Sequence, residues 1–146
     1  MPTRYTKAYT NGDSWSIPET TAISIDLTAS SVDSNIFVAD VPMEVVAVRE
    51  VHSVVGGASA AVGLTKCTGT TAPGSGTAIT VADFDLTATV NTNQNKTLAS
   101  GLATTAATRK LAVGDRLGLN FSGTLTGLVG VVTVFLRKLQ TPGADR

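Results

Sequence analysis

Few side chains in the sequence could take part in catalysis, and none has the sequence neighbours that catalysis requires. His52 is the single histidine, so a Ser-His-Asp triad would have to use it. No Gly-x-Ser-x-Gly turn accompanies it. Because alternate residues of a strand point to the same side, Glu50 and His52 are expected to form a surface pair. Cys67 has little choice of a base, which favours a small buried residue over a nucleophile.

The segment Asp83-Phe84-Asp85 contains carboxylates, which can bind metal ions, but it resembles no metal-loop pattern. It places two carboxylates on one face of a predicted strand. Calcium requires six or more oxygen ligands, usually supplied by a loop, so the pair favours a solvated strand face. The sequence therefore predicts no catalytic residue, no metal site and no cofactor, and we do not expect an enzyme.

The overall composition limits the remaining classes of function. The chain has 146 residues, and its 11 basic residues balance its 11 acidic residues. Without an excess of positive charge, a nucleic-acid partner is not expected. The nearly apolar run over residues 128–136 is too short to span a membrane as a helix, and the polar N-terminus has no signal-peptide core. One cysteine excludes an internal disulfide, so we expect a soluble protein that is made in the cytoplasm.

Hydrophobic residues alternate with polar residues through much of the chain, as in half-buried β-strands. The alternation is clearest over residues 23–28, 83–90 and 116–121. Residues 128–136 are apolar on both faces, as expected of a strand that is covered on both sides. We predict an all-β fold, a single-domain antiparallel β-sandwich over residues 21–139. An extended N-terminal arm (1–20) and a short C-terminal tail (140–146) would flank it.

Two segments of the predicted sandwich allow more than one interpretation. Residues 97–113 could form an Ala-rich helix, but their many threonines favour strands. In the valine-rich run over residues 45–55, Val46 and Val48 fall on the same face as polar side chains. Either another subunit or strand covers this face, or a β-bulge near Arg49 switches the faces of the strand.

The N-terminal arm is a candidate docking segment. It combines aromatic and basic side chains of the types that carry much of the binding energy at protein interfaces. These residues are Arg4, Tyr5, Lys7, Tyr9 and Trp15. Two interpretations remain open. Either the arm docks onto a partner, or Trp15 packs back onto its own sandwich and the tyrosines are incidental.

The C-terminal third of the chain carries a family resemblance. Residues 111–119 read L-x-x-G-D-x-L-x-L, a glycine-rich turn follows, and residues 129–139 contain G-V-V-T-V-x-L. This layout resembles small head proteins that decorate the capsids of tailed bacteriophages. It is also similar, more loosely, to the trimeric jelly-roll domains of the tumour-necrosis-factor and C1q type. The upstream segment 38–42 is consistent with the phage group, and the resemblance spans roughly residues 20–139.

The resemblance implies a jelly-roll-like capsid decoration protein, also called a cement protein. Such a protein would be made in the host cytoplasm, bind the major capsid protein on the outer surface of the virion, and stabilise the shell without catalysis. It would often be a homotrimer. The arm would then grip the capsid, and apolar strand faces would build the core and the subunit interface: Val46, Val48, Val129, Val131 and Phe135. The alternative is another virion structural protein, such as a tail-fibre or receptor-binding knob, with no membrane or nucleic-acid partner in either case.

Overall fold

The structure, a computed structural model, describes residues 20–139, which contain ten β-strands and two short helical segments. The strands in chain order are β1 (Thr20–Thr28), β2 (Ser34–Val38), β3 (Met43–Val54), β4 (Ala61–Cys67), β5 (Thr77–Ala78), β6 (Phe84–Asp85), β7 (Gln94–Thr97), β8 (Lys110–Leu111), β9 (Arg116–Ser122) and β10 (Val129–Lys138). A 3-10 helix spans Pro73–Ser75, and the helix α1 spans Ala106–Arg109. Apart from Thr20, the predicted arm lies outside the described residues, as does the predicted tail.

The strands form two antiparallel sheets. Sheet I has the order β1-β10-β3-β7, with β8 also paired to β3. Sheet II has the order β2-β9-β4-β5, with β6 also paired to β4. The first four strands alternate between the two sheets, and the last strand returns to lie between β1 and β3. This is the connectivity of a jelly roll, which confirms the predicted antiparallel, jelly-roll-like β-sandwich.

The inner faces of the two sheets share one hydrophobic core. Sheet I contributes Leu27, Val132 and Val134, and sheet II contributes Leu64 and Leu117, each at most 1% exposed. The alternating pattern predicts these positions because inward side chains recur at every second residue of a strand. Burying an aliphatic side chain of this size stabilises a fold by about 1.5–3 kcal/mol. The packing of these side chains therefore holds the two sheets together.

The preference for strands over residues 97–113 is wrong for most of that segment. Thr97 ends β7, only Lys110–Leu111 forms a further strand, and Ala106–Arg109 forms the one-turn helix α1. The chain turns back directly after Thr97, where Gly101 has a φ of +95°. Glycine adopts this conformation without steric cost, and neither a continuous strand nor a helix passes through it.

A β-bulge at Val46 decides which side chains of β3 face the core. Its neighbours Val45 and Ala47 pair with consecutive residues of β10, so Val46 has no register partner on that strand. The extra residue reverses the alternation of the two faces. Val45 before the bulge and Val48 after it therefore both face the core, and each is 0% exposed. The bulge interpretation of this run is confirmed, although the bulge lies at Val46 and not near Arg49.

The bulge corrects two predictions about β3. Val48, expected at a subunit interface, is a core residue, because the reversed alternation directs its side chain inward. Glu50 and His52, expected as a surface pair, also point inward after the bulge, and each is 1% exposed. Both predictions assumed an unbroken alternation along the strand, and one extra residue inverts it.

A buried carboxylate ties β3 to β10 and to α1. The side chain of Glu44 is 5% exposed, and its two oxygens accept hydrogen bonds from Arg109, at 3.1 Å, and from Arg137. Arg109 also donates to the carbonyl oxygen of Thr104 at 3.0 Å, which fixes the loop before α1. Burial alone would raise the pKa of the Glu44 carboxyl. The hydrogen bonds and charges of the two arginines outweigh burial and hold this pKa below its ordinary value of 4.5.

We expect Glu44→Ala to lower the free energy of unfolding by about 2–3 kcal/mol at pH 7, because it leaves both arginines without their carboxylate. Urea unfolding followed by circular dichroism measures this change. Because the pKa of Glu44 is depressed, its stabilisation is present above pH 4.5 and is lost as the pH falls through the pKa of the folded state. The difference between variant and wild type should therefore shrink in acid.

The matched control for this prediction is Asp40→Ala. Asp40 lies in the loop between β2 and β3, and it is exposed. Its replacement should change the free energy of unfolding by less than about 0.5 kcal/mol. Equal losses in the two variants would contradict the role assigned to Glu44.

Candidate interaction surface

The two sheets differ in what covers their outer faces. On sheet II, residues 68–83 fold over β4, where the hydroxyl of Thr65 donates to the carbonyl oxygen of Pro73 at 2.9 Å. Cys67 beneath this segment is 0% exposed, as expected of a small buried residue. A Cβ atom on Gly118 of β9 would lie 2.7 Å from Pro73, so the segment also contacts that strand closely. Part of the outer face of sheet II is therefore covered by its own chain.

On sheet I, four valines form an exposed apolar patch, here called the valine patch. It consists of Val51 and Val54 of β3 and Val129 and Val131 of β10. Val54 lies opposite Val129 and Val51 lies opposite Val131, so the four side chains are direct neighbours. Val54 is 46% exposed and Val129 is 52% exposed, while the other two are half-buried. Contiguous apolar surface on a sheet face is a candidate contact for a partner.

Beyond the valine patch, the same face of sheet I becomes polar. Thr133 lies opposite Arg49 and shares a hydrogen bond of 2.9 Å with the hydroxyl of Ser24 on β1. The guanidinium group of Arg49 lies 5.0 Å from the centre of the Phe135 ring, in a cation–π contact. An apolar centre beside a polar border is the usual composition of a protein–protein interface.

The structure brings together three of the five residues predicted for a subunit interface. Val129, Val131 and Phe135 share the outer face of β10, because they lie two and four residues apart on one strand. Val46 is the half-buried extra residue of the bulge, and Val48 is in the core. The sequence interpretation missed Val51 and Val54. Placing the bulge at Val46 would have moved Val51 to the outer face, so the apolar run itself contained the signal.

The N-terminal arm joins sheet I at the end opposite the valine patch. Thr20, the first described residue, pairs with Arg137, whereas Thr28 pairs with Val129. These two ends of β10 are roughly 27 Å apart at the rise of an antiparallel strand. The predicted arm residues lie outside the described part of the chain: Arg4, Tyr5, Lys7, Tyr9 and Trp15. Contacts made by the arm and by the valine patch would thus start from opposite ends of one sheet.

The other side chains considered for chemistry differ in burial. Glu50 and His52 lie inside the sandwich, whereas Asp83 and Asp85 are exposed, as expected of a solvated face. Within residues 20–139, no group of three or more His, Cys, Asp or Glu residues is placed to hold a metal ion. No helix in the described part of the chain is long and apolar enough to cross a membrane. The valine patch is therefore the feature of this structure that most clearly indicates a contact.

Comparisons with known proteins return structures of viruses. No protein-family model matches the sequence, and no curated protein matches it. The chain is similar to one in the cyanophage Pam1 capsid asymmetric unit, at 14% identity and a TM-score of 0.44, over 95% of this chain and 100% of that one. It is also similar to a chain of infectious bursal disease virus, Gx strain, at 17% identity and a TM-score of 0.36. That match covers 88% of this chain and 34% of the other.

Proposed function

We propose that the protein is a virion structural protein that decorates the outer surface of a bacteriophage capsid and stabilises the shell, acting as a homotrimer. The valine patch is the observation that carries this proposal. The jelly roll has a complete core and yet exposes contiguous apolar side chains on one sheet face. The resemblance of residues 111–139 to phage head-decoration proteins supports the same role.

In this proposal, the valine patch forms the contact between protomers. A threefold arrangement would cover the exposed part of the patch in each copy and leave its polar border in water. Burial of apolar area supplies the driving force, at about 25 cal/mol per Å² removed from water. The polar border formed by Arg49 and Thr133 would set the orientation of the subunits rather than most of the affinity.

The capsid contact is assigned to the N-terminal arm. The chain enters sheet I at the end away from the valine patch, so the arms begin outside the proposed protomer contact. Three arms on one trimer would bind neighbouring capsid subunits together, so that individually weak contacts add up through avidity. A trimer of this kind bridges capsid subunits.

Stabilisation of the shell then follows from linkage and needs no catalysis. A ligand that binds the assembled shell but not the free subunits lowers the free energy of the shell, by an amount that grows with the ligand concentration. The side chains of His52 and Cys67, which were considered as catalytic groups, are both buried in the sandwich, and this burial is consistent with a structural role.

We expect shells of the phage's major capsid protein to rupture at a higher temperature when the purified protein is added. Differential scanning calorimetry of shells with increasing amounts of protein measures the shift, which should continue to grow beyond saturation. Free capsid subunits are the control, and their unfolding temperature should not change. If shells with saturating protein rupture at the same temperature as shells without it, that result would contradict the proposed function.

A further inference from the structure

A buried histidine joins the strand β3 to the segment between β6 and β7. The side chains of His52 and Glu50 are both 0% exposed, and Nδ1 of the ring lies 2.8 Å from Oε2 of the carboxyl group. The other ring nitrogen, Nε2, lies 2.9 Å from the carbonyl oxygen of Ala88. Both nitrogens of the only histidine are thus engaged in the interior of the protein.

Two further hydrogen bonds fasten the same segment to β3. Gln94 donates from its amide nitrogen to the second oxygen of Glu50 at 2.6 Å, and that nitrogen also lies 2.7 Å from the carbonyl oxygen of Asp85. The backbone N–H of Asn91 donates to the carbonyl oxygen of His52 at 2.8 Å. Residues 85–94 are therefore held to β3 through one cluster of polar groups.

The contacts of this cluster require one proton more than a neutral His52 ring and an ionised Glu50 carboxylate would carry together. A carbonyl oxygen only accepts, so Nε2 must carry a hydrogen to bond Ala88. With a neutral ring, Nδ1 would then present a lone pair to the ionised carboxylate of Glu50, and that contact would be repulsive. Both contacts are made only when the ring is doubly protonated or Glu50 is protonated.

We propose that His52 and Glu50 form a one-proton latch, which holds residues 85–94 against β3 and releases them as the pH rises. With the proton bound, every polar atom of the pair has a partner. After its loss, one of the two ring contacts must break, because a neutral imidazole has one donor and one acceptor. Breaking the contact with Ala88 removes one of the hydrogen bonds that hold the segment to the strand and so loosens it.

The surroundings favour retention of this proton. Burial lowers the pKa of His52, but the hydrogen bonds to Ala88 and Glu50 and the negative charges of Glu50 and Asp85 raise it above its ordinary value of 6.5. Burial raises the pKa of Glu50 above 4.5, against the opposing effect of His52. Asp85 stays ionised because Thr87 donates two hydrogen bonds to it, at 2.6 and 2.8 Å, and these lower its pKa.

The charged groups around the ring come from the elements that pack against it. Glu50 belongs to its own strand, and Asp85 belongs to β6. From β7 the neighbour is the neutral Gln94, while Lys96 on the same face lies over the Phe84 ring, 4.9 Å from its centre. Since both latch groups have raised pKa values, the latch stabilises the fold at low pH. Its contribution is lost as the pH rises through the folded-state pKa of the pair, above 6.5.

The latch adjoins the valine patch along β3, with its side chains on the opposite, inner face of the strand. His52 directly follows Val51 and precedes Val54 by two residues, and the Asn91 backbone that it holds comes directly after the exposed Val90. Release of the segment would change the surface at this end of sheet I.

Nuclear magnetic resonance of the intact protein tests the latch. Because the chain has one histidine, every imidazole signal belongs to His52. We expect the ring nitrogens to titrate with a pKa above 6.5. We also expect the Asn91 amide to exchange with solvent at least about tenfold faster above that pKa, after correction for the intrinsic effect of pH. A pKa at or below 6.5, with unchanged Asn91 protection up to pH 9, would overturn the proposal.

The variant Glu50→Gln supplies the matched control. Its amide group can donate to the lone pair of Nδ1 while its oxygen still accepts from Gln94, so a neutral ring satisfies both contacts. The pKa of His52 should then fall below that of the wild type, and the protection of Asn91 should no longer depend on pH. Unchanged pH dependence in a folded Glu50→Gln protein would also overturn the latch. If this variant fails to fold, the wild-type titration alone decides.

Discussion

The double substitution Val51→Glu with Val131→Glu is expected to convert a native trimer into a folded monomer of 14.9 kDa. The two side chains lie opposite each other in the valine patch, so the variant places two like charges inside the proposed protomer contact. Unpaired charges at such a contact cost several kcal/mol. A cost of about 3 kcal/mol is enough to weaken association by roughly 100-fold. Light scattering on a sizing column measures the native mass directly.

The fold should survive this change because both side chains point away from the core. The matched control is Val81→Glu, which places a charge on a valine that is 70% exposed in the segment covering sheet II. That variant should keep the mass of the wild type, three times that of the chain. A wild-type protein that is already monomeric, or a trimer that persists in the double variant, would remove the valine patch as the protomer contact.

Removal of residues 1–15 is expected to abolish binding to the shell while the trimer remains. The described core is built entirely from residues 27–136, so the truncated chain keeps all the side chains that hold the two sheets together. It loses the aromatic and basic residues assigned to the capsid contact: Arg4, Tyr5, Lys7, Tyr9 and Trp15. Sedimentation of the protein with shells measures binding, and light scattering confirms that the oligomer is intact.

The matched control is a chain that lacks residues 140–146 at the other end, and it should bind shells as the wild type does. The variant Trp15→Ala separates the two interpretations of the arm. If Trp15 packs onto its own sandwich, this variant will lower the unfolding temperature and leave shell binding intact. Full shell binding by the chain without residues 1–15 would contradict the assignment of the capsid contact to the arm.

The sandwich could be predicted from the sequence because its strongest signals are local. Leu117 and Leu119 on β9, and Val132 and Val134 on β10, recur at every second residue, and all four are buried in the shared core. Alternation reports which side of a strand faces the core, since it depends only on the geometry of the strand itself. The fold class therefore followed from short segments considered one at a time.

The valine patch could be predicted only in part, because two extra residues of β3 control it, Val46 and Ser53. Val45 and Val48 are both core residues, so a run of apolar residues between them fits either phase of the strand. The bulge at Val46 is revealed by the register with β10, which is a contact between distant parts of the chain. The extra residue Val46 places Val51 on the outer face and His52 in the interior.

The sequence pattern could not predict the latch, for a related reason. Glu50 and His52 are close in the sequence, but Ala88 and Gln94, which complete the cluster, belong to a distant segment. A histidine beside a glutamate on a strand suggests only a surface pair. The number of protons that the pair must hold becomes apparent when the acceptor on each side of the ring is known.

Sedimentation of the full-length protein with assembled shells tests the central claim most directly. The protein should pellet with shells of the phage's major capsid protein, reach saturation at a fixed number of copies per shell, and remain in the supernatant with unassembled capsid subunits. No pelleting with shells at micromolar protein would contradict the decoration role. Adsorption to host cells in that case would instead indicate a tail-fibre or receptor-binding knob.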